Sequence, residues 1–355
     1  MSNQITIKDI AKMCGCGVST VSRALNNHPD INEETRNKIM SVVSEYNFVP
    51  NNSARNIRIS DSKTIAILIK GISNPFFMKM IRVMEKEIQK RKYSLIIQHV
   101  EYNQDEVDAA IELEKEKRLK GIIFLGGYFN HTKEKLDAIK VPFVISTVNM
   151  SEEYTGNYSS VAVDDVEESS KMVNYLCKLG HKRILLICAY EDDESIGMLR
   201  KEGYKRALIN NGIEIDESLI VPMSCDADAY SMNAGYLSMQ KSIEKGLEFS
   251  AVFGISDAIA IGAMRALADA GIKIPDEVSV VGFDGIDNAN YYIPRLTTIR
   301  QPIEEMAKES INLIFKYIDG EKDCHKPMRM LFEGQLIEGE SAKSYNNEHN
   351  LKKFI

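Results

Sequence analysis

The chain of 355 residues carries a formal net charge of −7, with 27% charged and 44% hydrophobic residues; it is too long for one compact domain and predicts two or three, with an ordinary globular composition. Six cysteines at positions 14, 16, 177, 188, 225 and 324 lack the paired spacing of a disulfide scaffold or a zinc site, so no metal or cofactor is expected. No basic-then-apolar leader opens the chain and no run of about 18 apolar residues occurs, which predicts a cytoplasmic chain that does not span a membrane.

Thr6 to Asn26, TIKDIAKMCGCGVSTVSRALN, reads as two short helices around a glycine-bearing break, a helix-turn-helix. Thr6 and Asp9 have the spacing of a capping box, in which each side chain satisfies the other residue's orphan backbone N–H. Ile7, Ile10, Ala11 and Cys14 recur at the spacing of one buried helical face. Gly15 and Gly17 interrupt the run. The second helix sets Val21, Ala24 and Leu25 on one side against Ser19, Ser22, Arg23 and Asn26 on the other. Small hydroxyls, an amide and an arginine suit the floor of a DNA major groove, where Arg23 can pair with guanine O6 and N7; they equally suit the solvated face of any amphipathic helix. Cys14 and Cys16 read as small, mostly buried residues.

A third helix over Thr35 to Tyr46 repeats Ile39, Val42, Val43 and Tyr46 at helical spacing. Residues 1 to 60 hold seven Lys/Arg against five acids, a balance of +2 that leaves −9 on the remainder. The net acidity therefore does not exclude nucleic acid, because the charge is unevenly spread. Pro50 to Ser60 is polar and rich in Asn and Arg; it reads as a hinge, the alternative being a disordered tether.

From Thr64 short apolar runs alternate with helical stretches. TIAILI, SLIIQ, GIIFL and PFVIS form a first set, separated by helices such as Pro75 to Lys92 and Gln104 to Arg118. VAVDD at 161, RILLIC at 183, SAVFGIS at 250 and VSVVGFD at 278 form a second. Continuous apolar runs mark strands buried on both faces, as in a parallel sheet between helix layers. Two such sets predict an α/β body of two doubly wound parallel-sheet subdomains behind the all-α headpiece. The charged run Glu112 to Lys120 reads as a solvated helix face, and the polar tail from Lys343 has no heptads to form a tetramerising coiled coil.

The strings TIKDIAKMCGCGVSTVSRALNNHPDINEETRNKI and YNFVPNNSAR, with SNPFF, LRKEGYKRAL, FGISDAIAIGAMRAL, IPDEVSVVGFDG and PRLTTIRQP downstream, resemble the lactose-repressor/galactose-repressor family of bacterial transcription regulators along almost the whole chain. The resemblance implies a DNA-binding headpiece over 1–49, a hinge over 50–60 that becomes helical only on DNA, a periplasmic-binding-protein-like effector-binding and dimerisation body over 61–345, and a tail over 346–355. It implies three crossings between lobes, near 161, 287 and 325. The N-subdomain would then hold about 61–160 and 287–325, and the C-subdomain about 161–286 and 326–345. By the same likeness DNA contacts fall on Thr6, Ile7, Gly17, Val18, Ser19, Ser22, Arg23, Asn26, Asn32 and Thr35, and in the hinge on Asn51, Ala54 and Ile57. Val18 and Ser19 occupy the positions that set operator preference, although the helical wheel puts Val18 nearer the buried flank. Gly17 stands where relatives have a serine, and Ile57 where a leucine usually wedges between base steps and kinks the duplex.

Ligands of open parallel sheets collect at the carboxyl ends of the strands, and in two facing lobes those ends line one cleft. That rule nominates Asn74, Phe76 and Phe77 after the first strand, Ser256 and Asp257 after SAVFG, and Asp284 at the end of VSVVGFD; Arg200 matches the family's effector-clamping arginine. Phe76 and Phe77 could equally be core, and Asp257 a helix N-cap. The expected function is a homodimeric, sequence-specific regulator, a repressor, on a pseudo-palindromic double-stranded DNA operator. Its effector is a small molecule, by family likeness a sugar or sugar derivative. A global carbon-control regulator with a phosphoprotein corepressor and a cytoplasmic solute-binding protein are the alternatives. No enzyme is expected, since the chain has no Walker lysine, GxGxxG, GxSxG or HExxH, and its histidines at 28, 99, 131, 181, 325 and 349 are scattered.

Overall fold

The computed structural model describes residues 5–25, 28, 30–46, 48, 63–101, 103–127, 131–149, 158–190, 196–320 and 327–345, in two compact units of residues 1–62 and 63–355. In the first unit α1 (Ile7–Cys14), α2 (Val18–Leu25) and α3 (Glu33–Glu45) close on a small core of Ile10, Ala11, Cys14, Val21, Ala24 and Ile39. Asp9 Oδ2 accepts from both the Thr6 amide at 2.9 Å and the Thr6 hydroxyl at 2.6 Å, so the acid closes the first turn as its spacing predicts. Gly15 ends α1 in the left-handed region at φ +65°, where a β-carbon is costly. The third helix starts before the expected Thr35, because Asn32 caps it: its Oδ1 accepts from the Glu34 amide at 2.8 Å. Tyr46, expected on the buried face, is 44% exposed. It lies past the last helical turn, and Phe48 packs against the core beyond it.

The second unit opens with β1 (Thr64–Lys70), α4 (Pro75–Lys90), β2 (Ser94–Val100), α5 (Glu106–Lys117), β3 (Gly121–Leu125), α6 (Lys133–Leu136), β4 (Phe143–Ser146) and β5 (Ser159–Val163). It continues with α7 (Asp165–Lys178), β6 (Ile184–Cys188), α8 (Ile196–Asn210), β7 (Ile220–Pro222), α9 (Met232–Glu244), β8 (Ala251–Gly254), α10 (Asp257–Asp269) and β9 (Ser279–Asp284). It ends with β10 (Thr297–Arg300), α11 (Ile303–Asp319), β11 (Arg329–Phe332) and β12 (Gln335–Ile337). The first sheet runs β11-β5-β4-β3-β1-β2, all parallel. The second runs β12-β10-β9-β8-β6-β7, parallel except for the antiparallel edge strand β12.

Sheet membership moves the expected crossings. Strand β5 belongs to the first sheet through Val163, β10 to the second through Arg300, and β11 to the first through Phe332. The chain therefore crosses after β5, after β10, and between β11 and β12, and the positions near 161, 287 and 325 all fall short of these points. VAVDD, counted with the second set, is β5 of the first sheet, paired with β4, because set membership is decided by pairing and not by order along the chain; the later crossings shift because β10, β11 and β12 hold only three or four residues each, too short to register as apolar runs. SLIIQ, expected to be covered on both faces, is an edge strand with Ile97 48% exposed, since edge position is a property of pairing rather than of composition. Helix α10 is buried almost all round and rests on α9 through two glycines. A β-carbon at Gly262 would stand 1.9 Å from the Met232 carbonyl oxygen, and one at Gly235 2.2 Å from that of Ile259.

Candidate functional site

On α2 of the headpiece, Ser19 and Arg23 are exposed, Ser22 is half-buried, and Val21 and Ala24 are buried. Val18 differs from its expected place on the buried flank and is 42% exposed, because it opens the helix and is preceded by a glycine without a side chain. The Gly17 carbonyl accepts from the Thr20 amide at 2.9 Å and the Val21 amide at 3.2 Å, so the glycine does cap α2. Thr6 and Asn32 are exposed and serve as caps of α1 and α3. Thr35 is half-buried, and Ile7 packs against the headpiece core, which leaves less of it for a partner. Asn26, Asn51, Ala54 and Ile57 lie outside the described residues.

In the α/β body a cleft of about 520 Å³, part of it open to solvent, is lined by Lys70, Gly71, Asn74, Phe76, Phe77, Gly126, Gly127, Thr147, Ile196, Arg200, Tyr230, Asp284 and Gln301. The lining follows the carboxyl ends of β1, β3, β4, β9 and β10, drawn from both sheets. Asn74, Phe76, Phe77, Arg200 and Asp284 come together there. Phe76 and Phe77 are 2% and 5% exposed and belong to the core as well, touching edge to face.

Asp284 is the centre of the arrangement. Its Oδ2 accepts from Asn74 Nδ2 at 2.9 Å, and its Oδ1 from Gln301 Nε2 at 2.8 Å and Arg200 Nη1 at 3.4 Å. Asn74 comes from the start of α4 beside the first sheet, so this one carboxylate joins the two lobes. Arg200, 2% exposed, also donates from Nε to Asp165 Oδ1 at 2.8 Å and from Nη1 to the Ile255 carbonyl at 2.6 Å, and lies 3.7 Å from the Phe283 ring centre. Burial pushes Asp165 up to about 6 and the Arg200 charge holds it from going further. Burial likewise raises Asp284, against the pull of Arg200, Asn74 and Gln301.

Backbone strain gathers at the same place. Of the five non-glycine residues with positive φ among the described residues, Thr147 (+76°), Tyr230 (+58°) and Asp284 (+123°) line the cleft. Each such residue costs of the order of 1–3 kcal/mol, and strain held in this way marks functional positions.

Ser256 and Asp257 are absent from the lining and fully buried. The N-cap role weighed for Asp257 is taken by Ser256, whose Oγ accepts from the Ile259 amide at 3.3 Å. Asp257 Oδ2 accepts from the Ile286 amide at 2.8 Å and Oδ1 from the Thr298 hydroxyl at 2.5 Å, which ties β9 to β10 beneath the site. Both point inward because the helix they open is covered on nearly every side. Lys70, Gly71, Gly126, Gly127 and Thr147 also stand at the carboxyl ends of β1, β3 and β4 and fall under the same strand-end rule. Gln301 follows β10, a strand of four residues too short to register as an apolar run, while Ile196 and Tyr230 carry no such signal and reach the cleft through tertiary packing alone.

Residues 6–51 match the family described as bacterial regulatory proteins, lacI family, and residues 173–342 match the periplasmic binding protein-like domain. The HTH-type transcriptional regulator MalR of Clostridium butyricum is 38% identical over 346 residues, 95% of this chain and 99% of that protein. The lac repressor dimer bound to operator and the anti-inducer ONPF has the same fold, with a TM-score of 0.69 at 22% identity over 96% of this chain and 100% of its own. A LacI-family transcriptional regulator from Enterococcus faecium with bound ribose is 25% identical, with a TM-score of 0.69 over 80% of this chain and 100% of its own. Among the described residues no helix is long and apolar enough to cross a membrane. With its helix-turn-helix, its two-sheet body and a relative matched from end to end, this chain belongs to the lacI family of bacterial regulatory proteins and is a DNA-binding transcriptional regulator, not an enzyme.

Proposed function

We propose that the protein is a homodimeric cytoplasmic repressor whose hold on a pseudo-palindromic operator is set by a sugar or sugar derivative in the cleft. The observation that carries this reading is the bond from Asn74 to Asp284: a ligand that takes over Asp284 competes with the contact between the lobes and so favours one lobe arrangement over another. The ribose bound by the Enterococcus faecium relative supports the ligand class. Residues 50–60 act as the hinge, with Asn51, Ala54 and Ile57 in the minor groove and Ser19, Ser22 and Arg23 in the major groove. Tyr291 and Ile293, 86% and 95% exposed, suit burial against a second copy better than permanent contact with water.

Operator duplexes recovered by binding-site selection test the reading. Titration of the full chain on such a duplex should show two headpieces per site and an affinity that a sugar changes at least tenfold. A monomer indifferent to duplex DNA at low ionic strength, with or without sugars, refutes it.

A further inference from the structure

The charged groups of the cleft already hold one another. Lys70 donates to Glu106 Oε2 at 3.1 Å and to the Gln104 carbonyl at 2.8 Å. Arg200 is held by Asp165 at 2.8 Å and Asp284 at 3.4 Å. Side-chain exposure in these pairs is 5% or less, so neither cation is backed by water. Two cations face three carboxylates, and Asp165 Oδ2 has no hydrogen-bond partner among the described residues; the acidic side is in excess. Glu106 is held below its ordinary range by His131 and Lys70 although burial pushes it up, so it stays charged opposite Lys70. Two helix starts border the cleft: α8 opens at Ile196, and α4 is closed by Asn74, whose Oδ1 accepts from the Phe76 amide at 3.1 Å. That amide is therefore not offered to an anion.

We infer that the effector is an uncharged, polyhydroxylated molecule and that the cleft rejects its phosphate ester. This rests on the proposed reading of the cleft as the effector site, and narrows it. A phosphate dianion would lie against Asp284 and would be held only if Lys70 or Arg200 turned from its carboxylate. That would leave Glu106 or Asp165 buried without a counter-ion, the costly half of a broken buried pair. Hydroxyl groups ask for no such exchange. Asp284 is now bonded by the neutral amides of Asn74 and Gln301, and a sugar hydroxyl can replace either as donor while accepting from the amide it displaces. The carbon–hydrogen face of the ring would lie toward Phe76, Phe77 and Ile196, the apolar part of the lining.

The full chain is titrated calorimetrically with glucose, maltose, cellobiose and ribose, and with glucose 6-phosphate and ribose 5-phosphate. The expected result is binding of at least one neutral sugar, with the phosphate esters at least about a hundredfold weaker. The neutral sugar's Kd should change less than about twofold between roughly 0.05 and 0.5 M salt, since no exposed charge holds it. A phosphate ester that binds as tightly as the best neutral sugar, or a chain that binds none of the four neutral sugars, overturns the inference. A neutral sugar that binds as expected but leaves operator affinity unchanged defeats the regulatory reading and leaves this one standing. An ester that binds and shifts operator affinity does the reverse.

Discussion

Replacing Arg200 by methionine keeps an unbranched stem in the same space and removes the guanidinium from between Asp165 at 2.8 Å and Asp284 at 3.4 Å. Breaking a buried ion pair from one side costs about 3–5 kcal/mol, because the remaining charge keeps its desolvation penalty and loses its attraction. The lost bond to the Ile255 carbonyl and the lost contact with Phe283 place this variant toward the upper end. At about 2–4 °C per kcal/mol for a unit of this size, Tm should fall by roughly 10–15 °C. The loss depends on pH in a definite direction. Even with Arg200 in place, burial pushes Asp165 up to about 6 from 3.8, so its ionisation is a folding cost that grows as pH rises between those values and vanishes below them. Without Arg200 the folded-state pKa rises further, so the Asp165 part of the variant's deficit grows as pH rises above about 6 and is lost below it, where Asp165 is protonated in both folded proteins. Denaturant unfolding at about pH 5 and about pH 8 measures both effects. The double variant Asp165→Asn/Arg200→Met, which removes the orphaned charge as well, should recover more than half of the loss. An equal deficit at the two pH values, or no recovery in the double variant, would show that the pair is not the organising charge of the site.

Further outcomes are expected elsewhere in the chain. Arg23→Ala should lose about 1–3 kcal/mol of discrimination at one base pair while keeping weak, salt-sensitive binding; an unchanged preference in binding-site selection removes Arg23 from base readout. Asp284→Asn should weaken sugar binding about tenfold to a hundredfold, as expected for hydrogen bonds to a charged group; a normal sugar response retires the assignment. Gly262→Ala should cost at least about 1–3 kcal/mol, because its β-carbon would stand 1.9 Å from the Met232 carbonyl oxygen; unaltered unfolding would mean that the two helices are not so close. At Gly17 a β-carbon would meet nothing nearer than Ser19 Oγ at 3.5 Å, so Gly17→Ser should cap α2 better by about a few tenths of a kcal/mol and tighten operator binding. Weaker binding in a gel-shift titration would count against Gly17 as a contact position.

Whatever depends on near neighbours is legible along the chain. Asp9 caps the turn begun at Thr6, the stripe of Ile10, Ala11 and Cys14 packs one helix face, and the apolar runs from Thr64 onward become strands in two sheets. Helical periods, caps and strand length are read over a few residues, so one sequence suffices for them. The strand-end rule reached Asn74 and Asp284 for the same reason, since each stands just beside its own strand. Which residues those two meet is set by the packing of distant segments. Asn74 and its partner Asp284 are 210 positions apart, Arg200 and Asp284 84, Lys70 and Glu106 36. That packing also turns Ser256 and Asp257 inward, brings Tyr230 and Gln301 to the cleft, and places the short strands β10, β11 and β12 in their sheets. Those outcomes depend on pairing and burial between distant segments, where any carboxylate has several possible partners and only packing selects one.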